Sequence, residues 1–355
     1  MGVGRLRLVP LASALLAAAP ARATSVNEEV SVTGTQTTPQ NPRAGNVSNL
    51  LSASVDVGER WTVNASARIT LEASTPAATG AFPDRGGTVA DFSGGVDWEA
   101  NDNWTFGVAL DVSPQSTLES DARLRVQDRA TDVVLQATSS VASLGLLGTY
   151  DTAGVSDLEA SFTAGIDLSR IDTRQQVADA RHADDGTSVG LADLRARCLP
   201  VRSGCRALVP AIDGVSDVLR YARFSGGASA TVRADTDLAV NLDYYAYFDD
   251  PAAVGVFTIA TAGRFGAGAP IAPLRYLLRP QIAHRFGAFS LKAWVQLGRY
   301  VPEAGQGTAG IGAKAQVRLS RSLRIWLSAS GQRDEDASGA ISRTGGLALG
   351  AGYRF

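Results

Sequence analysis

Along most of this 355-residue chain, apolar side chains occupy every second position, and short polar turns break the alternation. Leu51, Ala53, Val55 and Val57 alternate with polar residues; after Gly58-Glu59-Arg60 the pattern resumes as Trp61, Val63, Ala65, Ala67, Ile69 and Leu71. Successive side chains of a strand point to opposite faces, so each run has one apolar and one polar face. An amphipathic helix needs apolar residues three and four apart, and these segments fail that template. The spacing predicts β-hairpins with tight turns.

The unit recurs. Phe92 to Trp98 and Trp104 to Val112 flank a turn at 100–103; further hairpins pair 139–150 with 157–170 and 218–234 with 238–248, turn at Arg285–Phe289, and turn at Ser320-Arg321-Ser322. A last strand, 341–355, reaches the C-terminus. Between the hairpins lie longer stretches: 73–87, 114–132, 172–217, 249–272, 302–308 and 333–340. Short turns alternating with long loops are the asymmetry of transmembrane barrels, and a soluble β-sandwich gives no reason for that sorting. Mean hydropathy is only +0.01, as expected where lipid-facing and lumen-facing residues alternate and cancel. Trp61, Trp98, Trp104, Phe286, Phe289, Tyr353 and Phe355 all fall near the short turns or the terminus, on the apolar parity, as an interfacial aromatic girdle requires.

The N-terminus adds an export reading. Arg5 and Arg7 precede an apolar run from Leu8 to Ala19 and the exit Ala21-Arg22-Ala23, the pattern of a signal peptide over 1–23. Export places Cys198 and Cys205 in an oxidising compartment, which predicts a local disulfide within the long loop 172–217. Two cysteines and two histidines give no zinc-like cluster, and no metal or cofactor is expected. No phosphate-binding glycine loop or nucleic-acid signature is present, and the expected surroundings are membrane lipid.

The segment Leu347-Ala348-Leu349-Gly350-Ala351-Gly352-Tyr353-Arg354-Phe355 resembles the closing strand of bacterial outer-membrane β-barrel proteins of the porin-like kind. The resemblance implies a transmembrane antiparallel up-and-down β-barrel over 49–355, located in the outer membrane. It also implies Tyr353 and Phe355 as the signal read by the barrel-assembly machinery. Residues 24–48 are either a tail or the first strand, giving twelve or fourteen strands. Within them, Glu28 to Thr35 resembles the energy-coupling box of TonB-dependent receptors, whose barrels of 22 strands are too large for this chain.

With the apolar parity toward lipid, the opposite parity gives the lumen. Arg275, Arg279, Lys292, Lys314, Arg318 and Arg324 come from the C-terminal strands, and Asp56, Asp91, Asp97, Asp111 and Asp167 from the N-terminal ones. Residues 24–170 hold 8 basic and 19 acidic residues, and residues 272–355 hold 12 and 4. Closure of a barrel makes such halves opposing walls, with a transverse field across a water-filled lumen; the alternative is that the charges pair and fill the interior. The leading expectation is a passive channel for small polar or anionic solutes. The alternatives are a non-conducting barrel that binds partners through its loops, and a hydrolase. For the last, Arg181-His182-Ala183-Asp184-Asp185 is the only histidine-carboxylate run, and it reads as a solvated loop. Solute and oligomeric state stay open.

Overall fold

The computed structural model describes residues 24–38, 43–75, 84–152, 159–200, 205, 208–233, 235–251, 274–301, 307–335 and 339–355. The expected signal peptide, 1–23, and most of 249–272 lie outside the described residues. Fourteen strands close into one antiparallel barrel, each paired with its neighbours in sequence and β1 with β14. They are β1 Thr24–Thr38, β2 Arg43–Val57, β3 Trp61–Thr75, β4 Asp84–Asn101, β5 Trp104–Val126, β6 Arg129–Asp151 and β7 Glu159–His182; then β8 Val215–Arg233, β9 Thr236–Tyr247, β10 Leu274–Phe286, β11 Phe289–Tyr300, β12 Gly307–Arg318, β13 Leu323–Glu335 and β14 Ile341–Arg354. Two short helices, α1 Leu191–Cys198 and α2 Val209–Asp213, interrupt the β7–β8 connection.

The N-terminal segment is the first strand, which decides fourteen over twelve. Val30 is opposite both Ala351 of β14 and Asn49 of β2, so Glu28 to Thr35 is hydrogen-bonded on both edges. A coupling box must be free to pair with a partner, and here each edge is already occupied.

The short turns expected at 58–60, 100–103, 285–289 and 320–322 are present, and most of the connection between β6 and β7 lies outside the described residues. The long loops differ in extent, because β5, β6 and β7 run past the rim: β5 and β6 meet in a tight turn at Gln127 and Asp128, both with positive φ. The stretch 114–132, expected as a loop, is therefore mostly strand. Pro114 sits where the β5–β6 register shifts, between Ser113 and Ser116; a bulge tolerates the missing N–H and lets the strand continue. Likewise the connection expected over 172–217 narrows to 183–214.

Cross-paired residues share a face of the sheet, and the register separates the faces cleanly. Outward stand Leu71 at 55% exposed, Leu110 at 52% and Ile311 at 65%. Apolar exposure on this scale requires lipid to cover it. At the short-turn end Trp61 stacks on Trp98 at 5.9 Å and Trp104 on Phe106 at 5.7 Å, while Phe286 and Phe289 lie 6.0 Å apart and Tyr353 and Phe355 4.9 Å apart. Inward stand Ser31 and Ser48, whose hydroxyls are 2.8 Å apart, and Ser66 and Ser93, 2.6 Å apart.

Candidate functional site

The inward face is built in two tiers. In the lower one, toward the short turns, β1 to β8 line a cavity of about 500 Å3, with Asn64, Ser93, Asp97, Asp111, Asp167 and Arg223 among its lining residues. Glycines make the room. A Cβ on Gly145 would collide with the carboxylate of Asp167, and one on Gly107 with that of Asp97. Each acid is held. Asn64 Nδ2 donates to Asp97 at 2.7 Å and Thr62 Oγ1 to Asp56 at 3.0 Å; Ser113 Oγ donates to Asp91. Arg223 Nε and Nη2 reach Asp167 Oδ2 at 2.9 and 2.8 Å.

The basic residues occupy the other wall. Lys292 and Lys314 are cross-strand partners, as are Arg318 and Arg324, and Arg279 lies opposite Asn241. Lys314 Nζ sits 4.1 Å over the Trp326 ring, and Arg324 Nη2 lies 3.0 Å from Glu29 Oε2. Arg275 departs from this row. The β10–β11 register shifts between Leu274 and Tyr276, and Arg275 Nη1 reaches the Tyr244 hydroxyl at 3.4 Å; Tyr244 is cross-paired with the outward Phe224 and Tyr276.

Above the cavity, toward the long loops, the part of the inner face formed by β6 to β11 is apolar. Val141, Ile171, Leu219, Tyr221, Tyr245, Leu274 and Tyr300 form one buried cluster, with Tyr247 and Leu277 against it. The Tyr221 ring lies 5.9 Å from Tyr245 and 5.7 Å from Tyr247. Tyr247 Oη donates to Leu274 O at 2.9 Å and Tyr300 Oη to Asp334 at 2.7 Å. The hydroxyls are satisfied and the rings remain as an aromatic wall. Charge counting missed this collar and also Arg223. The available signal was that Tyr245 and Tyr247 share the parity of Asp243, itself inward by its pairing with Ser225.

Over one side of the mouth, α1 and α2 pack on the inner face of the projecting β5–β7 sheet. The cluster there includes Val126, Val133, Leu135, Leu194, Leu208 and Ala211. Cys198 and Cys205 are disulfide-bonded within it. The histidine-carboxylate run does not assemble: His182 Nδ1 is 3.1 Å from Thr131 Oγ1, whereas Asp184 and Asp185 both pair with Arg129 at 2.6 Å. Among the described residues there is no group of three or more metal-ligating side chains.

No protein-family profile and no curated protein sequence matches the chain. Solved structures do. The CymD monoaromatic hydrocarbon channel superposes with a TM-score of 0.57 at 10% identity, over 94% of this chain and 88% of that one. A Pseudomonas aeruginosa FadL homologue gives 0.55 at 12%, over 93% and 90%. The Ralstonia pickettii toluene transporter TbuX gives 0.55 at 9%, over 94% and 89%. The fold is that of bacterial outer-membrane β-barrels.

Proposed function

We propose that this chain is a passive outer-membrane channel for small solutes that join an aromatic ring to a polar group. The observation that carries the reading is the order of the tiers: a tyrosine-rich collar beneath the long-loop mouth and a polar, charged cavity below it. A ring desolvates against the collar, where each aromatic contact is worth about 0.5–1.5 kcal/mol. The polar group is then solvated by the serines and carboxylates of the cavity.

The basic residues alone would favour polar or anionic solutes, but Glu29 balances Arg324 and the upper tier offers rings rather than charge. In this reading Asp56, Asp91, Asp97, Asp111 and Asp167 line one wall, and Arg279, Lys292, Lys314, Arg318 and Arg324 the other. Together they impose a transverse field on the solute. That two of the similar structures are named for monoaromatic hydrocarbons and toluene agrees with the aromatic half of the solute class.

Influx into proteoliposomes tests it with phenyl and methyl β-glucosides, which share a polar part and differ by the ring. The phenyl compound enters faster per barrel, and Tyr221→Ser with Tyr245→Ser cuts that preference by roughly two- to tenfold, the range the ring contacts imply. Equal rates in the wild type contradict it. A second reading, a non-conducting barrel that binds partners at its surface, draws on the α1–α2 cap over the mouth; influx of neither glucoside selects it.

A further inference from the structure

Two indoles face the lumen from the basic wall, and among the described residues a cation covers one of them. Trp326 on β13 lies across its partner Gly350 on β14, and Trp294 on β11 lies across its partner Gly312 on β12. In each pair three atoms of the indole crowd the place where the glycine would carry a Cβ. The missing side chain lets the ring settle against the wall, with one face on backbone and the other toward the lumen. Over Trp326 that second face is taken by Lys314 Nζ, 4.1 Å from the ring centroid. Over Trp294, which is half-buried, no described cation or ring is placed.

Lys292 stands beside the open ring. It precedes Trp294 by two residues, so both project from the same face of β11, about 7 Å apart along the strand. Its cross-strand partner is Lys314, and like charges so placed repel. Lys314 has an indole to cap and the charge of Glu29 nearby. Lys292 is exposed and has no ion pair or hydrogen bond among the described residues. In the same row of the sheet, beyond Ala283, Asp237 is already held by Arg285 at 3.0 Å.

A free ammonium one strand repeat from an open aromatic face makes a two-point site. A solute ring stacks on the indole, and a carboxylate carried on that ring accepts a charge-assisted hydrogen bond from the ammonium. The acidic wall opposite repels an anion and steers it to this side. The site also lies below the collar, on the way toward the short turns. From Tyr300 to Trp294 is six residues of β11, roughly 20 Å of strand.

We propose that Trp294 and Lys292 form a lumenal binding site for monoanionic arenecarboxylates, with the ring on Trp294 and the carboxylate on Lys292. This deepens, and rests on, the reading of the barrel as a conduit for aromatic solutes that carry a polar group. The test is titration of the refolded barrel in neutral detergent, followed by saturation-transfer NMR against empty micelles, with benzoate, benzamide and cyclohexanecarboxylate as probes. Benzoate binds more tightly than cyclohexanecarboxylate by about two- to tenfold, the range of a ring contact, and more tightly than benzamide by about two- to fivefold, the range of a solvated ion pair. Lys292→Gln removes the preference over benzamide and Lys292→Arg keeps it. Trp294→Leu removes the preference over cyclohexanecarboxylate. Equal binding of benzoate and benzamide by the wild type, or an unaltered preference in Lys292→Gln, overturns the proposal. So does an equal loss in Arg318→Gln, since the field of the whole wall would then act in place of a paired site. The two readings fail separately: benzoate held at Trp294 by a barrel that admits no phenyl glucoside counts against the conduit, whereas phenyl glucoside influx without benzoate preference counts against this site alone.

Discussion

Trp326 has room in the lumen because its cross-strand partner is Gly350; a Cβ there would run into the indole. The ring in turn holds Lys314 Nζ at 4.1 Å. Gly350→Val should displace the indole and destabilise the barrel by about 1–3 kcal/mol, the cost of overpacking. Urea unfolding in lipid vesicles followed by tryptophan fluorescence measures it, and an unchanged midpoint contradicts this packing. At this scale the sequence was legible where parity and charge coincide: Asp97, Asp111, Asp167, Lys292 and Lys314 lie on the inward face that alternation assigned. Arg275 was harder to read, because the β10–β11 register shifts at its position and no composition announces that shift. Arg223 escaped because it lies in the middle of the chain, between the two charge-biased ends, and its importance comes only from facing Asp167 across β7–β8. The tyrosines of the collar escaped because an inward aromatic breaks the rule that the polar parity faces the lumen.

Among the elements, the strands were easier to read than what connects them. Alternation located each hairpin, since one-sided burial repeats every two residues regardless of what the strand touches. It failed over 114–132 and 172–182, where β5, β6 and β7 rise beyond the membrane band and alternation no longer has lipid on one side. The α1–α2 cap was unreadable for a related reason: its apolar side chains pack on those projecting strands, a surface that exists only after folding. The turn leading into the cap is tied by charge. Arg129 holds the Asp184 carboxyl below the ordinary range, and hydrogen bonds from Thr187, then Arg129, do so for Asp185. Folding lowers both pKa values, so their contribution is complete above the ordinary carboxylate value of about 3.9 and disappears as pH falls through the depressed values. Both groups are exposed, which keeps the effect small and salt-sensitive. Hydrogen exchange over 183–190 should therefore be equally protected at about pH 7 and pH 5 and lose protection below about pH 3. Loss already at pH 5 would contradict the Arg129 tether.

For the whole molecule, closure turns a charge gradient along the sequence into two facing walls. Pairing of β1 with β14 brings Glu29 within 3.0 Å of Arg324, so the seam between acidic and basic halves is itself neutralised. The closing register runs from Asn27 opposite Arg354 to Thr38 opposite Arg343, and the Phe355 N–H donates to Val26 O at 3.0 Å. Barrel class was legible because it depends on alternation and on the sorting of loop lengths, both one-dimensional. Strand number hung on β1, whose polar sequence pairs well but announces itself poorly. The account's central claim is that this closed barrel encloses a conduit rather than a filled interior. Single-channel recording of the refolded protein in planar bilayers tests it most directly. The account predicts discrete conductance steps whose ion selectivity shifts when Lys292 and Lys314 are changed to glutamate; a correctly folded, inserted barrel that gives no steps at any salt concentration would contradict it.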